Sequence, residues 1–159
     1  MRATWLLFAC LGIAKLLAAD DSNPDKIHAA GCLISTTDGF VMVENRLLNR
    51  LQLPVGRHQA GETARQTAAR ETYEETGLAV ITGDIALKLD QDQVILYFCE
   101  PRDQSFQDAD LVPLDRVEAV SAMIVHPVSL KTPAGNPVTL KWRYPETRLM
   151  LQAIWPFMN

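Results

Sequence analysis

The chain has 159 residues, of which 48% are hydrophobic and 21% are charged. This composition suits one folded globular domain and excludes an intrinsically disordered chain. The formal net charge of −4 argues against nonspecific nucleic-acid binding, which relies on a basic surface. We therefore expect a single folded domain that forms no stable nucleic-acid complex.

The first nineteen residues, MRATWLLFACLGIAKLLAA, have the pattern of a secretory signal peptide. Arg2 gives a short basic start, a mostly apolar run follows, and Ala18 and Ala19 are small. Because Lys15 interrupts the apolar run, the segment is a poor membrane span. We predict a secreted or periplasmic protein in which only this segment, if uncleaved, contacts a membrane. The alternative is a cytoplasmic enzyme with an N-terminal extension.

Residues 20–26 (DDSNPDK) are predicted to be a polar linker, and residues 27–159 to be one domain. A turn at residues 37–39 between two apolar runs predicts a β-hairpin. Pro145 suits the first position of a C-terminal helix. The overall pattern predicts an α+β fold. Apolar runs rich in β-branched and aromatic residues predict strands at residues 27–35, 40–43, 78–81, 85–89, 94–99, 120–125 and 138–142.

Two of the three cysteines, Cys32 and Cys99, lie in predicted strands. Buried cysteines in strands are commonly free thiols, and sequence does not give the geometry that a disulfide requires. We therefore expect two buried free thiols. A disulfide, which an oxidising compartment would allow, is the alternative.

The central stretch GRHQAGETARQTAARETYEETGL, residues 56–78, predicts a helix from about Ala64 to Thr76. Thr63 and Gln66 fit a capping box, in which each side chain accepts a hydrogen bond from the backbone of the other. Gly77 fits the left-handed position that commonly follows a helix end. Both ends of this helix are therefore marked in the sequence.

Three acidic residues of this helix, Glu71, Glu74 and Glu75, lie three or four positions apart on adjoining parts of one face. Glu74 and Glu75 also lie near the helix C-terminus, where the macrodipole disfavours anions. A divalent cation would offset both effects, because clustered carboxylate oxygens are the ligands that Mg²⁺ and Mn²⁺ prefer. From the residues alone, a metal site and a solvated acidic face both remain open.

The spacing of the glycines and charged residues in this stretch resembles the signature box of the Nudix hydrolase family. The resemblance implies an α/β/α sandwich around a mixed β-sheet, with the box as a loop–helix–loop, over roughly residues 27–155. It implies a pyrophosphohydrolase that uses Mg²⁺ or Mn²⁺ and cleaves a nucleoside diphosphate linked to another group, by attack of water on phosphorus. The fixed residue types of the box are all present: Gly56, Glu62, Arg70, Glu71, Glu74, Glu75 and Gly77.

The same resemblance implies metal ligands. Glu71, Glu74 and Glu75 are the implied carboxylate ligands, and one of them is implied to take the proton from water. The backbone carbonyl of Val55 is a further implied ligand. Val55 stands where many members carry a second glycine, and a left-handed backbone at valine would be strained.

Roles for other residues follow from the resemblance as well. Glu62 and Arg70 are implied to form a supporting ion pair that orients the helix. A later loop often adds a carboxylate as ligand or base, and Glu118 is the candidate, with Glu100 as the runner-up. Arg57 is the candidate for binding a substrate phosphate, because a guanidinium pairs well with phosphate oxygens.

A second reading keeps the same fold but changes the function. A nucleotide-binding or regulatory module would retain the domain while turning over little substrate. Such modules usually lose carboxylates of the box, whereas this chain retains all of them. The sequence therefore favours the enzyme, with a small nucleotide-type molecule as its substrate, and it carries no clear marker of which one.

Overall fold

The computed structural model describes residues 27–89 and 93–158, so the predictions for residues 1–19 and 20–26 lie outside the described residues. Within those two ranges the chain forms eight β-strands, two α-helices and two short 3₁₀ turns, at Asp108–Asp110 and Trp155–Phe157. The strands and helices are β1 (Ala29–Leu33), β2 (Phe40–Asn45), β3 (Arg50–Gln52), β4 (Val55–Arg57), α1 (Ala64–Thr76), β5 (Val80–Leu89), β6 (Val94–Pro101), β7 (Ala119–Val125), β8 (Lys141–Trp142) and α2 (Pro145–Ile154).

The strands form two four-stranded sheets, in the orders β4-β1-β6-β5 and β7-β2-β3-β8. Both sheets are mixed, because β1 runs parallel to β6 but antiparallel to β4, and β3 runs parallel to β8 but antiparallel to β2. The predicted α+β class is confirmed. The resemblance implied one mixed sheet, and the described residues form two.

The predicted hairpin between β1 and β2 is wrong, because the two strands belong to different sheets. Only one bridge, between Ser35 and Phe40, joins the chain on either side of the turn. Both edges of β1 are already occupied by β4 and β6. Turn residues set where a chain reverses, but they do not decide which strands pair.

The two helices cover opposite faces of the first sheet. On one face, alternate side chains of β1 and β6 pack against Ala64 and Ala68 of α1. On the other face, the intervening side chains pack against Leu151 of α2. This arrangement is the α/β/α sandwich that the resemblance implied. With 13 and 10 residues, neither described helix is long and apolar enough to cross a bilayer.

Cys32 of β1 and Cys99 of β6 form a disulfide, so the expectation of two free thiols is wrong. The parallel register pairs Cys32 with Tyr97, two residues before Cys99, and both cysteine side chains belong to the cluster under α1. Their Cα atoms are 5.5 Å apart, a usual separation for a disulfide. The pairing depends on the strand register between residues 67 positions apart, which the sequence did not reveal.

Candidate active site

Helix α1 begins and ends where the sequence predicted. Thr63 Oγ1 accepts a hydrogen bond from the Gln66 N–H (3.2 Å), and Gln66 Oε1 accepts one from the Thr63 N–H (2.8 Å). Gly77 has φ +79°, and a Cβ at this position would lie 2.9 Å from the Val112 carbonyl oxygen. The capping box and the left-handed glycine are therefore confirmed, and they fix the helix that carries the acidic residues.

The guanidinium of Arg70 lies at the centre of the acidic face. Its Nε and Nη2 donate to the two carboxylate oxygens of Glu62, at 2.6 and 3.0 Å. Its Nη1 donates to Glu71 Oε1 (2.7 Å) and Glu74 Oε2 (2.8 Å), and Nη2 also donates to the Arg57 carbonyl (2.9 Å). All five N–H donors of a guanidinium are thereby used. One cation thus holds three carboxylates and the preceding loop together.

Glu62 ties the loop before α1 to the helix itself. The hydrogen bonds from Arg70 are the largest cause that lowers the pKa of Glu62 to about 2. The Thr67 hydroxyl (2.8 Å) and the Gln59 N–H (3.2 Å) also donate to Glu62 Oε2. His58 bonds to the same Thr67 hydroxyl through Nδ1 at 2.9 Å. His58 is therefore part of the network that holds the loop.

Glu71 and Glu75 are buried, with 5% and 1% of their surfaces exposed, whereas the Glu74 side chain is 39% exposed. Burial is the main cause that raises the pKa of Glu71, and it raises the pKa of Glu75 to about 8. The Val55 N–H and the charge of Arg143 oppose the shift at Glu75. Two carboxyl groups are thus held out of water with incomplete compensation of their negative charge.

Glu75 is held against strand β4. Its Oε2 accepts a hydrogen bond from the Val55 N–H (2.8 Å), and its Oε1 lies 3.4 Å from Gln52 Nε2. Val55 is not left-handed: the described non-glycine residues with positive φ are Asn49 and Leu130. The strain expected at Val55 is therefore not present, and its carbonyl oxygen lies 3.4 Å from the same Gln52 nitrogen.

Gln52 and Arg143 also belong to this site, although neither was predicted from the sequence. Gln52 is 2% exposed, and its Oε1 accepts a hydrogen bond of 2.8 Å from Arg143 Nη1. A polar side chain inside the apolar stretch LQLPV was a signal that could have pointed to Gln52. Arg143 is 91 residues away from Gln52 in the chain, and no local pattern marks it.

Glu118 lies near the buried carboxylates, and its charge contributes to the raised pKa of both Glu71 and Glu75. The Arg46 N–H donates to the Glu118 carbonyl at 2.8 Å, which fixes the loop before β7 against the end of β2. Glu100 instead lines a cavity of about 810 Å³ beyond the carboxyl end of β1. Glu62, Arg70, Glu71, Glu74 and Glu75 together form the acidic site. The structure brings Glu118, but not Glu100, to this site.

Arg57 lies at the end of β4 with an exposed side chain, and its carbonyl accepts the hydrogen bond from Arg70. This places Arg57 at the rim of the acidic site, on the loop that leads into α1. Arg57 remains a prediction as a substrate-binding residue, because its hydrogen bond with Arg70 uses only the Arg57 backbone.

The donor set suits a hard divalent cation. Among the residues that the structure describes, no three His, Cys, Asp or Glu side chains converge on one point suitable for a metal ion. Glu71 and Glu74 turn toward Arg70, and Glu75 turns toward Val55. The available ligands are nevertheless all oxygens, and a cation beside the buried carboxyl groups would favour their ionised forms. The kind of donor atom present, all oxygen, is therefore what fits a hard divalent cation.

Three solved structures show the same fold. An ADP-ribose pyrophosphatase from Streptococcus suis is 20% identical, with a TM-score of 0.57 over 79% of this chain and 89% of that chain. A NUDIX hydrolase from Nitrosomonas europaea is 18% identical, with a TM-score of 0.58 over 80% and 69% of the two chains. A UDP-X diphosphatase is 14% identical, with a TM-score of 0.60 over 94% and 72%. At these identities the likeness concerns the fold alone.

A comparison with curated proteins found no match. The family model described as the NUDIX domain matches residues 25–139, well over half of the chain and including every residue of the acidic box. The chain therefore belongs to the NUDIX family and is a hydrolase that acts on phosphoric anhydride bonds.

Proposed function

We propose that the protein is a divalent-metal-dependent pyrophosphohydrolase that cleaves a nucleoside diphosphate linked to another group, by attack of water on phosphorus. The observation that carries this proposal is the arrangement around Arg70, which binds Glu62, Glu71 and Glu74 through one guanidinium. Glu75 is buried in the next position of the same helix. All the carboxylates of the box are thus retained and held by specific contacts.

The residues that would hold Mg²⁺ or Mn²⁺ are Glu71, Glu74, Glu75 and the carbonyl of Val55. When bound, the cation supplies positive charge that offsets the negative charge developing on the phosphoryl oxygens. Enzymes of this family generally use divalent metals. The raised pKa values of Glu71 and Glu75 support the assignment, because their burial is not fully offset by the neighbouring positive charges.

The protein's own contribution is to hold the carboxylates in place and to accept a proton. Arg70 limits the rotation of Glu71 and Glu74, and the Val55 N–H does the same for Glu75. A carboxylate held beside the bound substrate can act as the general base that removes a proton from the attacking water. We propose that one of the carboxylates at the site accepts this proton. Glu118, whose charge acts on the two buried carboxyl groups, is one of the candidates.

Two observations support a proposal for the class of substrate. Two of the compared structures carry the names ADP-ribose pyrophosphatase and UDP-X diphosphatase, which makes ADP-ribose and UDP-linked compounds the first to test. The signal-like residues 1–19 and the Cys32–Cys99 disulfide together support a secreted or periplasmic location, since disulfides persist in oxidising compartments. Nucleotide sugars, lipid-linked diphosphates and scavenged nucleotides are the candidates there.

A substrate panel tests the proposal. The purified protein is incubated with millimolar Mg²⁺ or Mn²⁺ and with ADP-ribose, nucleotide sugars, NADH, dinucleoside polyphosphates, nucleoside triphosphates or a lipid-linked diphosphate. Products are measured as phosphate released with and without added phosphatase, which separates phosphomonoester products from free phosphate. We expect metal-dependent turnover of at least one compound, and the best compound names the branch of the family.

The control for the panel is the Glu74→Gln, Glu75→Gln double variant, paired with Glu100→Gln, whose carboxylate lies away from the acidic site. The double variant should be silent, and Glu100→Gln should match the wild type. A folded protein that binds nucleotide and metal but turns over no compound in the panel would favour a binding module instead.

A further inference from the structure

Arg143 is a positively charged residue that is connected to the acidic site through one buried side-chain amide, that of Gln52. It follows β8, and its backbone N–H donates to the Leu51 carbonyl of β3 at 2.9 Å. Its Nη1 donates to Gln52 Oε1 at 2.8 Å. The two contacts attach Arg143 to the strand that precedes the box loop, although it lies far away in sequence.

Gln52 connects Arg143 to two of the proposed metal ligands. Because its Oε1 faces Arg143, its Nε2 faces the opposite way, 3.4 Å from Glu75 Oε1 and 3.4 Å from the Val55 carbonyl. Only this orientation of the amide satisfies all three neighbours, since Nε2 can only donate. The guanidinium of Arg143 therefore lies one side chain away from the buried carboxylate.

The contacts of Arg143 differ from those of Arg70 in the number of donors that are used. Arg70 donates all five of its N–H groups to carboxylate oxygens and one carbonyl oxygen. Arg143 is half-buried, uses Nη1 toward Gln52, and makes no ion pair with any carboxylate of the described residues. The guanidinium carbon Cζ lies over the ring of Tyr144, 5.1 Å from the ring centroid. A held cation thus retains N–H donors for an incoming anion.

We propose that Arg143 is a substrate-binding residue that takes the oxygens of the diphosphate next to the acidic site, with Gln52 and Tyr144 holding its guanidinium in position. A planar guanidinium with two adjacent free N–H groups binds phosphate oxygens in pairs. The inference rests on the proposed function, because it names Arg143 as a residue that binds the diphosphate of the proposed substrate. It adds a residue from outside the box to Arg57, the substrate-binding residue predicted from the sequence.

Binding of a hydrolysis-resistant diphosphate tests the inference without requiring turnover. Imidodiphosphate is titrated by calorimetry, in the presence of Mg²⁺, into the wild type, Arg143→Met, Arg143→Lys and the control Arg148→Met. Arg148 is also half-buried and lies on α2. We expect Arg143→Met to lose at least about tenfold in affinity and Arg143→Lys to lose less, because lysine keeps the charge but not the fork. Arg148→Met should bind like the wild type.

If Arg143 had a purely structural role, replacing it would lower the thermal midpoint without weakening phosphate binding. Thermal midpoints are therefore measured for all four proteins. If Arg143→Met does not fold, Arg143→Lys carries the test, with a higher Kd at an unchanged midpoint as the expected result. Equal affinities of the wild type and the folded Arg143 variants, or no binding by the wild type, would overturn the inference. Failure of the proposed function would look different: imidodiphosphate binding would remain, but no compound in the panel would be turned over.

Discussion

The carboxylate of Glu71 lies directly against Gly56. A Cβ atom built on Gly56 would fall 1.9 Å from Glu71 Oε2 and 2.1 Å from Cδ. The first glycine of the box is therefore required for space and not for a turn, since its φ is not positive. Glycine at this position lets a buried carboxylate approach the backbone of β4.

Gly56→Ala should displace Glu71 and leave the fold largely intact. We expect kcat/KM to fall about 10²–10³-fold, the size of effect seen when one preorganised polar group of an active site is lost. The matched control is Gly135→Ala, where the added methyl group has open space but φ is +84°. That control should cost about 1 kcal/mol of stability and no activity. Full activity of Gly56→Ala would show that catalysis does not require the Glu71 carboxylate at its observed position.

The ion pair between Glu62 and Arg70 should make the free energy of unfolding depend on pH in the acidic range. The pKa of Glu62 is about 2 in the folded protein and 4.5 as its ordinary value, so its stabilisation is present above pH 4.5 and is lost as pH falls toward 2. Glu62→Gln should lower the free energy of unfolding at pH 7 by about 1–3 kcal/mol. Urea denaturation at several pH values measures the difference, which should shrink below pH 4.5.

The control for that experiment is Glu100→Gln, because Glu100 is exposed and makes no ion pair with any described residue. It should unfold like the wild type across the whole pH range. A difference between Glu62→Gln and the wild type that stayed constant from pH 7 to pH 2 would mean that the ion pair contributes no pH-dependent stability.

Glu75 should have the opposite pH dependence. Its folded pKa of about 8 lies above the ordinary 4.5, so the metal-free protein loses stability as pH rises from 4.5 to 8. Glu75→Gln removes that charge and should raise the thermal midpoint in EDTA at pH 8, by about 3 °C for each kcal/mol regained. Scanning calorimetry at pH 5 and pH 8 checks the sign. A lower midpoint than the wild type at pH 8 would contradict it.

The Cys32–Cys99 disulfide should contribute to stability. Replacing both cysteines by alanine, or reducing the wild type, should lower the free energy of unfolding by about 2–4 kcal/mol, because the bond restrains a long loop in the unfolded chain. Urea denaturation with and without reductant measures this, and the double alanine variant should not respond to reductant. Alkylation of both Cys32 and Cys99 in the unreduced, denatured protein would show instead that the thiols are free.

Features that depend on near neighbours in the chain could be predicted. Thr63, Gln66 and Gly77 act within a few residues of the helix ends, and these contacts were readable from spacing. The α+β class followed from the strand-like runs and two helix signals. The acidic spacing likewise identified the family, which the match over residues 25–139 confirms.

Features that depend on distant pairing could not be predicted. The strands β3 and β4 have three residues each, too few to show an apolar period. The disulfide depends on the register of β1 against β6, and the contact of Arg143 with Gln52 joins residues 91 positions apart. The incorrect hairpin had the same origin, since the turn at residues 37–39 marks the reversal but not the partner strands.

Turnover measured against Mg²⁺ concentration tests the central claim most directly. The best compound of the panel is assayed with the wild type, Glu75→Gln and the control Glu100→Gln, each shown to be folded by its thermal midpoint. We predict saturable metal activation of the wild type and the control, and a loss of at least about 10²-fold in kcat for Glu75→Gln. Turnover that persisted in EDTA, or a Glu75→Gln variant as active as the control, would contradict metal-dependent hydrolysis by the acidic residues of α1.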